Sequence, residues 1–155
     1  MTPGINIAKK AGVAHTIHEY PHDPSSESYG LEAAEKMGVP AEKVFKTLVV
    51  SLDKQELAVA VVPTSSMLNL KQIARALGGK KANMAEPADV ERTTGYVLGG
   101  VSPLGQKKRL RTIIDVSASN YTTIFVSAGR RGLEIELSPD DLVTLVNGEL
   151  AAICQ

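Results

Sequence analysis

Cysteine and aromatic residues are scarce in this chain, and tryptophan is absent. The single cysteine, Cys154, has no second cysteine for an internal disulfide and no partners at metal-site spacing. This cysteine usage fits a reducing environment, and we expect a cytoplasmic protein. Aromatic residues account for 4% of the sequence, which disfavours a nucleic-acid-binding surface that stacks bases on exposed rings.

Long hydrophobic runs and a net charge are also missing. No apolar segment approaches the roughly 18 residues of a membrane-spanning helix, and the N-terminus lacks the pattern of a secretory signal. The formal net charge is zero, yet residues 99–131 carry six basic side chains against one acid, Asp115. This basic segment predicts either a solvated turn or a surface that contacts phosphate groups.

The length and the 43% hydrophobic content predict one domain over residues 1–155. Helices are predicted at 4–12, 28–37 and 70–77, from Pro87, and after a cap at Ser138. Strands are predicted at 15–20, 44–50, 57–62, 81–84, 112–116, 122–126 and 133–137, with a hairpin turn at 129–132. Because hairpin-like pairs occur among alternating helices and strands, a mixed sheet with outer helices is favoured, with 57–62 as a central strand.

Lys46 interrupts an otherwise apolar segment, Val-Phe-Lys-Thr-Leu-Val-Val. In a strand, Lys46 shares one face with Leu48 and Val50, whereas Phe45 and Thr47 lie on the other face. Lysine is rarely buried without a partner. The position therefore predicts either an exposed strand end or the wall of a pocket.

A glycine-rich segment occupies residues 95–106. The adjacent Gly99 and Gly100 allow a ligand to approach the backbone closely, and successive N–H groups there can bind an anion or a polarised carbonyl. Pro103 stiffens the exit of the segment. The segment is neither a P-loop, because no lysine follows Gly105, nor a dinucleotide-binding fingerprint. An ordinary glycine-rich turn is the alternative interpretation.

The sequence contains no conventional catalytic nucleophile motif. A Gly-x-Ser-x-Gly elbow is missing, and Ser102 has no obvious base, which disfavours a Ser-His-Asp triad. The three histidines, His15, His18 and His22, lie in one N-terminal segment. Although Asp23 follows them, an extended chain separates His18 from His22 too far for one ion, and we expect neither a metal nor a cofactor.

Four blocks of this sequence carry a resemblance to a known family: Tyr20, Phe45-Lys46-Thr47-Leu48, the run from Gly99 to Lys108, and Ser127-Ala128-Gly129-Arg130-Arg131-Gly132. Together they resemble the YbaK-type aminoacyl-tRNA deacylases, free-standing relatives of the editing domain of bacterial prolyl-tRNA synthetase. The resemblance extends over residues 2–142. It implies an α+β fold with a mixed, strongly curved and partly barrel-like β-sheet surrounded by helices.

The resemblance implies hydrolysis of Cys-tRNA(Pro), an error that binding alone corrects poorly because small side chains are hard to reject. The family's essential lysine matches Lys46, and its substrate-orienting tyrosine matches Tyr20. Its Gly-x-x-x-Pro loop matches Gly99, Gly100, Val101, Ser102 and Pro103. We expect Ser127 and Gly129 to line the same pocket, and four basic residues to contact acceptor-stem phosphates: Lys107, Lys108, Arg109 and Arg130.

The family is thought to use the substrate's own thiol as the nucleophile, although attack on its own carbonyl makes a strained four-membered ring. Backbone N–H groups around Gly100 to Ser102 would hold the ester carbonyl, and Lys46 would supply charge to a phosphate or to the oxyanion. The alternatives are a non-catalytic module that binds tRNA or prolyl-tRNA synthetase, a deacylase for another substrate such as Ala-tRNA(Pro), and a small-molecule-binding domain. Selectivity for tRNA(Pro) is expected to come from a synthetase partner.

Overall fold

The computed structural model describes residues 1–26 and 28–155, and within them eight strands form two sheets with five α-helices around them. The strands are β1 (His15–Glu19), β2 (Phe45–Leu52), β3 (Glu56–Pro63), β4 (Ala82–Met84), β5 (Arg111–Asp115), β6 (Ile124–Arg130), β7 (Leu133–Leu137) and β8 (Glu149–Ala151). The helices are α1 (Pro3–Ala11), α2 (Tyr29–Met37), α3 (Leu70–Ala76), α4 (Pro87–Thr94) and α5 (Pro139–Val146). Short 3-10 helices occupy Ala41–Lys43 and Val116–Asn120.

The larger sheet has the strand order β4-β2-β3-β5-β8 and the smaller sheet the order β1-β7-β6. In the larger sheet, β2 pairs antiparallel with β3 and β4, whereas β5 pairs parallel with β3 and β8. The prediction of a mixed α+β fold is therefore confirmed. The predicted strand at 57–62 is central, and every residue of it after Leu57 is buried.

The expected strongly curved, partly barrel-like sheet is not supported. In the described residues the strands divide between two open sheets, and an isolated bridge between Val44 and Phe125 joins the start of β2 to β6. The outer strands β4 and β8 have three residues each, too few to carry the ladder round into a closed barrel.

Two elements, β8 and the 3-10 helix Val116–Asn120, were not predicted, and β6 is longer than predicted. The register of β6 against β7 shifts between Ser127 and Arg130, so Gly129 lies within the strand at φ 126° instead of in the hairpin turn. The turn itself is Arg131-Gly132.

The predicted caps delimit the helices. Asn69 and Ser138 cap α3 and α5, and Ser28 caps α2, each accepting a hydrogen bond from an N–H of the first turn. Helices α1 and α2 end at Gly12 and Gly38 with φ of 72° and 68°, a left-handed conformation that glycine adopts at low cost. The cap of α2 holds the start of that helix beside the cavity described below.

The strand β2 presents alternate side chains to two different cores. Val50 packs with α3 on one face, whereas Phe45 and Val49 pack on the other face with residues of the smaller sheet. Lys46 lies on the face of Leu48 and Val50, as the alternation predicts. In the part of the chain that the structure describes, no helix is long and apolar enough to cross a membrane.

Candidate active site

A cavity of about 300 Å³ lies at the first half of β2, between the smaller sheet, the start of α2 and the glycine-rich segment. Its lining residues are Tyr20, Ser28, Tyr29, Gly30, Val44, Phe45, Lys46, Thr47, Leu48, Leu98, Gly99, Val101, Ser127, Arg131 and Glu134. Strand β4 pairs with β2 over Val50–Leu52. The residues of β2 that line the cavity therefore precede the part of this edge that β4 covers.

Lys46 contributes a half-buried ammonium group to the cavity wall. Within the described residues, it makes no ion pair and donates no side-chain hydrogen bond. A lysine in this setting is available to an anionic or polarised group of a ligand. Of the two interpretations of Lys46, the structure selects the pocket wall.

Tyr20 follows β1 directly and lines the same cavity. Its backbone N–H donates to the carbonyl oxygen of Gly132 at 3.0 Å, which ties the end of β1 to the turn between β6 and β7. Burial, together with the nearby carboxyl groups of Glu134 and Glu32, raises the pKa of Tyr20 to about 12. The phenol is therefore a hydrogen-bond donor at neutral pH.

Glu134 is a cavity residue that sequence reasoning missed. It is 6% exposed, pairs with Ser127 across the smaller sheet, and accepts no hydrogen bond within the described residues. Burial raises the pKa of Glu134 to about 8, so this carboxyl is largely protonated at neutral pH. The alternating sequence Leu-Glu-Ile-Glu-Leu was a signal, but alternation alone does not tell a cavity face from a solvent face.

Arg131, also missed, covers the ring of Tyr29 with its guanidinium carbon 3.9 Å from the ring centroid. It donates to the carbonyl oxygen of Leu98 at 3.1 Å, and its Nε is buried without a hydrogen-bond partner. The predicted Arg130 lies outside the cavity lining, is largely exposed, and forms an ion pair with Glu19 at 3.6 Å. The arginine at the cavity is thus the neighbour of the predicted one.

The glycine-rich segment reaches the cavity through Gly99 and Val101. The N–H of Gly100 donates to the carbonyl oxygen of Val97 at 3.0 Å and is already used. The N–H groups of Val101 and Ser102 donate to no acceptor within the described residues. Val101 lines the cavity, whereas Ser102 is buried outside its lining, so the N–H of Val101 is the predicted carbonyl-binding donor that remains available to a ligand.

The other loop residues support the segment from outside the cavity. The buried hydroxyl of Ser102 accepts from the N–H of Leu104 at 3.1 Å, and Pro103 lines a separate cavity with Gly105 and Arg109. Ser102 and Pro103 therefore hold the loop in place and do not line the cavity.

Four further predicted residues lie away from the cavity lining. Gly129 packs against Tyr96 and donates its N–H to the hydroxyl of Ser127 at 3.2 Å. Lys107 and Lys108 are exposed beside Arg92, and Arg109 donates to the carbonyl oxygen of Leu145 at 3.4 Å. Lys107, Lys108 and Arg109 thus do not contribute to the cavity wall.

None of the three N-terminal histidines lines the cavity within the described residues: His15 contacts the backbone carbonyl of Val13, whereas His18 and His22 contact carboxylates. His18 contacts Glu136 at 2.9 Å, and His22 contacts Glu32 at 2.7 Å. Burial opposes ionisation of Glu32, but hydrogen bonds from His22, the N–H of Asp23 and Lys36 outweigh it and hold its pKa below the ordinary value. This network fastens the segment after Tyr20 to α2. Among the described residues, no group of three or more His, Cys, Asp or Glu side chains is placed to bind a metal ion.

The cavity therefore contains an unpaired ammonium group, a phenol donor, a neutral carboxyl and the unpaired N–H of Val101, and within the described residues its lining includes neither histidine nor cysteine. Such a site can stabilise negative charge on a ligand. The chain belongs to the aminoacyl-tRNA editing domain family, whose model matches residues 24–145.

Individual relatives agree with this assignment. The chain is 43% identical over 136 residues to EbsC of Enterococcus faecalis, named as a candidate Cys-tRNA(Pro)/Cys-tRNA(Cys) deacylase, covering 87% of this chain and 83% of that protein. It is 27% identical over 92 residues to the multifunctional Ser/Thr-tRNA deacylase ProXp-y of Escherichia coli K12, covering 59% and 55%.

A solved structure, described as a candidate trans-editing enzyme for prolyl-tRNA synthetase, superimposes with a TM-score of 0.85. The alignment covers 100% of this chain and 99% of that one at 23% identity, and it therefore shows a shared fold. The resemblance to this family, based on four sequence blocks, is confirmed.

Proposed function

We propose that this chain, acting as one domain in the cytoplasm, is a trans-editing deacylase that hydrolyses the aminoacyl ester of Cys-tRNA(Pro). The observation that carries the proposal is the convergence of Lys46, Tyr20 and the unpaired N–H of Val101 around a cavity whose lining, within the described residues, includes neither histidine nor cysteine. The name of the 43% identical E. faecalis relative supports the choice of substrate.

The substrate supplies the nucleophile in this mechanism. The thiolate sulfur of the esterified cysteine attacks its own carbonyl carbon, the bond to the ribose oxygen breaks, and that oxygen takes up a proton. Water then opens the four-membered thiolactone and releases cysteine. A cysteine thiol titrates near pH 8.5, so a small fraction is thiolate at neutral pH, and a well-oriented intramolecular attack gains on the order of 10⁵-fold.

The protein offsets the ring strain by stabilising charge. The N–H of Val101 binds the carbonyl oxygen as it becomes negative, and such a donor contributes about 3 kcal/mol. Lys46 adds a positive charge beside the reacting ester or its phosphate. The Tyr20 hydroxyl, which stays protonated, donates to the aminoacyl-adenosine and orients it.

Recognition of the tRNA body requires groups outside the cavity. The exposed basic residues Lys107, Lys108, Arg109 and Arg130 are proposed to contact acceptor-stem phosphates. A cavity for one amino acid and one adenosine cannot read the anticodon or the stem sequence. Selectivity for tRNA(Pro) is therefore assigned to a complex with prolyl-tRNA synthetase.

A second candidate is hydrolysis of seryl or threonyl esters, the activity in the name of the E. coli relative. The hydroxyl of Thr47, a cavity residue, is buried without a hydrogen-bond partner. An unpaired hydroxyl such as this one can form a hydrogen bond with a substrate hydroxyl. It therefore favours a seryl or threonyl ester over an ester with a purely apolar side chain.

One experiment separates these candidates. Purified protein is mixed with Cys-tRNA(Pro), Ala-tRNA(Pro), Ser-tRNA and Thr-tRNA in turn, and release of the amino acid is followed in single-turnover reactions. Release of cysteine alone supports the thiol mechanism, whereas equally fast release of serine or threonine supports the second candidate. No release above the buffer rate would leave a non-catalytic tRNA-binding module.

Lys46→Ala in the same assay tests the role of the ammonium group. We expect the rate to fall about 100-fold or more, as for loss of a main electrostatic contact. Lys54→Ala removes a fully exposed lysine at the turn between β2 and β3 and serves as the matched control. Full activity of Lys46→Ala would remove the basis of the proposed mechanism.

A further inference from the structure

A second cleft, of about 620 Å³, shares Lys46 and Leu48 with the active-site cavity. Its walls include Met67, Leu70 and Met84, and Lys71 lies at its rim. Because two residues line both spaces, the cleft and the active-site cavity adjoin at Lys46 and Leu48.

The alternation of β2 explains this arrangement. Lys46, Leu48 and Val50 share one face, and Val50 pairs directly with Met84 of β4, which places Met84 on that face as well. Phe45 and Thr47, on the opposite side of the strand, also line the active-site cavity. Lys46 is the second residue of β2 and lies at the border between the two spaces.

The surface of the cleft suits a nucleotide. Met67 is 67% exposed and Met84 is 50% exposed, and methionine side chains are flexible and polarisable, which favours contact with flat rings. Lys46 and Lys71 bring two positive charges, and no Asp or Glu side chain belongs to the lining within the described residues. Apolar side chains for a base beside cations for a phosphate are the two parts of a nucleotide-binding surface.

We propose that this cleft binds the nucleotide preceding the terminal aminoacyl-adenosine of the tRNA, with its base against Met67 and Met84 and its phosphate beside Lys71. The inference rests on the proposed function. RNA is the occupant because the terminal aminoacyl-adenosine, placed in the active-site cavity, is joined to the preceding nucleotide by one phosphodiester linkage. That nucleotide therefore has to lie next to the cavity. A docking site for a protein partner would not require this continuity.

The test compares two small substrates, 3′-O-cysteinyl-adenosine and the corresponding cysteinyl ester of the dinucleotide CpA. The measured quantity is the ratio of their kcat/KM values, which does not depend on the fraction of protein that is folded. For the wild type we expect the dinucleotide ester to be preferred about tenfold, a typical effect of one bound base.

Met67→Ala/Met84→Ala is expected to bring this ratio close to one. Its matched control is Val116→Ala/Leu150→Ala, which truncates two side chains that are 47% and 39% exposed outside both spaces. Lys71→Glu is expected to lower the ratio as well, whereas Lys54→Glu leaves it at the wild-type value.

The outcomes separate this inference from the function on which it rests. If the wild type hydrolyses neither these two esters nor Cys-tRNA(Pro), the proposed function fails and the inference fails with it, whereas hydrolysis of Cys-tRNA(Pro) without a preference for the dinucleotide ester overturns the inference alone. If both esters are hydrolysed and the Met67→Ala/Met84→Ala ratio equals the wild-type ratio, the deacylase remains and the nucleotide subsite is wrong.

Discussion

The guanidinium carbon of Arg131 lies 3.9 Å from the centroid of the Tyr29 ring, and this pair closes one side of the candidate active-site cavity next to Gly99. A Cβ atom at position 99 would lie 2.5 Å from Nε of Arg131 and 2.6 Å from the Tyr29 ring. The stacked pair therefore leaves too little room for a Cβ atom at position 99, and the positive φ of 85° also favours glycine there.

Gly99→Ala is expected to displace this stack and to destabilise the protein by about 2 to 4 kcal/mol, as strain adds to overpacking. Gly38→Ala is the matched control, because Gly38 has φ 68° and a Cβ atom added there would meet no other atom within 4 Å; we expect a cost of about 1 kcal/mol. Urea unfolding of both variants measures the difference. Equal losses would show that the stack tolerates the extra methyl group.

Arg131→Ala is expected to raise KM for Cys-tRNA(Pro) and to lower the free energy of unfolding by about 1 to 3 kcal/mol, because it removes the stack on Tyr29 and the bond to Leu98. Arg130→Ala, which breaks an exposed ion pair with Glu19, should change stability by less than about 1 kcal/mol. Steady-state kinetics and thermal unfolding of both variants test this contrast. A larger effect at Arg130 than at Arg131 on KM would favour phosphate contact by Arg130 over the cavity geometry.

Glu134 should make stability depend on pH in an unusual direction. Burial raises its pKa in the folded protein to about 8, whereas a glutamate in the unfolded chain titrates near about 4.3. Between these values the folded protein holds a proton that the unfolded chain has released, so the free energy of unfolding falls as the pH rises and levels off above about pH 8.

Glu134→Gln removes this titration. We expect the free energy of unfolding of this variant, relative to that of the wild type, to increase by roughly 3 to 5 kcal/mol as the pH is raised from about 4 to about 9. Glu136→Gln is the control on the same strand, because the pKa of Glu136 is shifted in the opposite direction. A hydrogen bond from Thr123, opposed in part by burial and aided by His18, holds the pKa of Glu136 below its ordinary value, so its contribution is lost as the pH falls. A flat difference between wild type and Glu134→Gln across this range would contradict the expected titration.

Charge reversal tests the basic segment. Lys107→Glu/Lys108→Glu should weaken tRNA binding and flatten its salt dependence, since each lost phosphate contact lowers the slope of log K against log salt by about 0.7 to 0.9. Lys80→Glu/Lys81→Glu reverses another adjacent pair of exposed lysines and controls for net charge. Binding measured at several salt concentrations decides the question, and identical slopes for the two double variants would leave the phosphate role of the 107–108 pair unsupported.

Several parts of this molecule could be predicted from local sequence. The alternation around Lys46 predicted its face correctly, since a buried strand tolerates only one register. Helix caps at Asn69 and Ser138 depend on neighbouring residues only and were also predicted. The assignment to the editing family followed from the order and spacing of four blocks.

The missed residues depend on events that sequence periodicity does not encode. The register shift between Ser127 and Arg130 changes which of two adjacent arginines reaches the cavity, and a one-residue slip moves a side chain to the other face. Glu134 belongs to an alternating strand whose polar face meets a cavity only because β1 and α2 pack beside it. The division of the strands into two sheets likewise follows from long-range pairing, not from any local pattern.

The bond between the Tyr20 N–H and the Gly132 carbonyl joins parts of the chain that are more than a hundred residues apart, as does the pairing of β1 with β7. During synthesis from the N-terminus, Lys46 leaves the ribosome long before Gly132 does, yet the wall containing Tyr20, Arg131 and Glu134 cannot form until β7 is available. Closing so long a loop is slow. A nascent chain therefore carries Lys46 before the cavity around it can form, and the cavity wall is completed only after β7 has been synthesised.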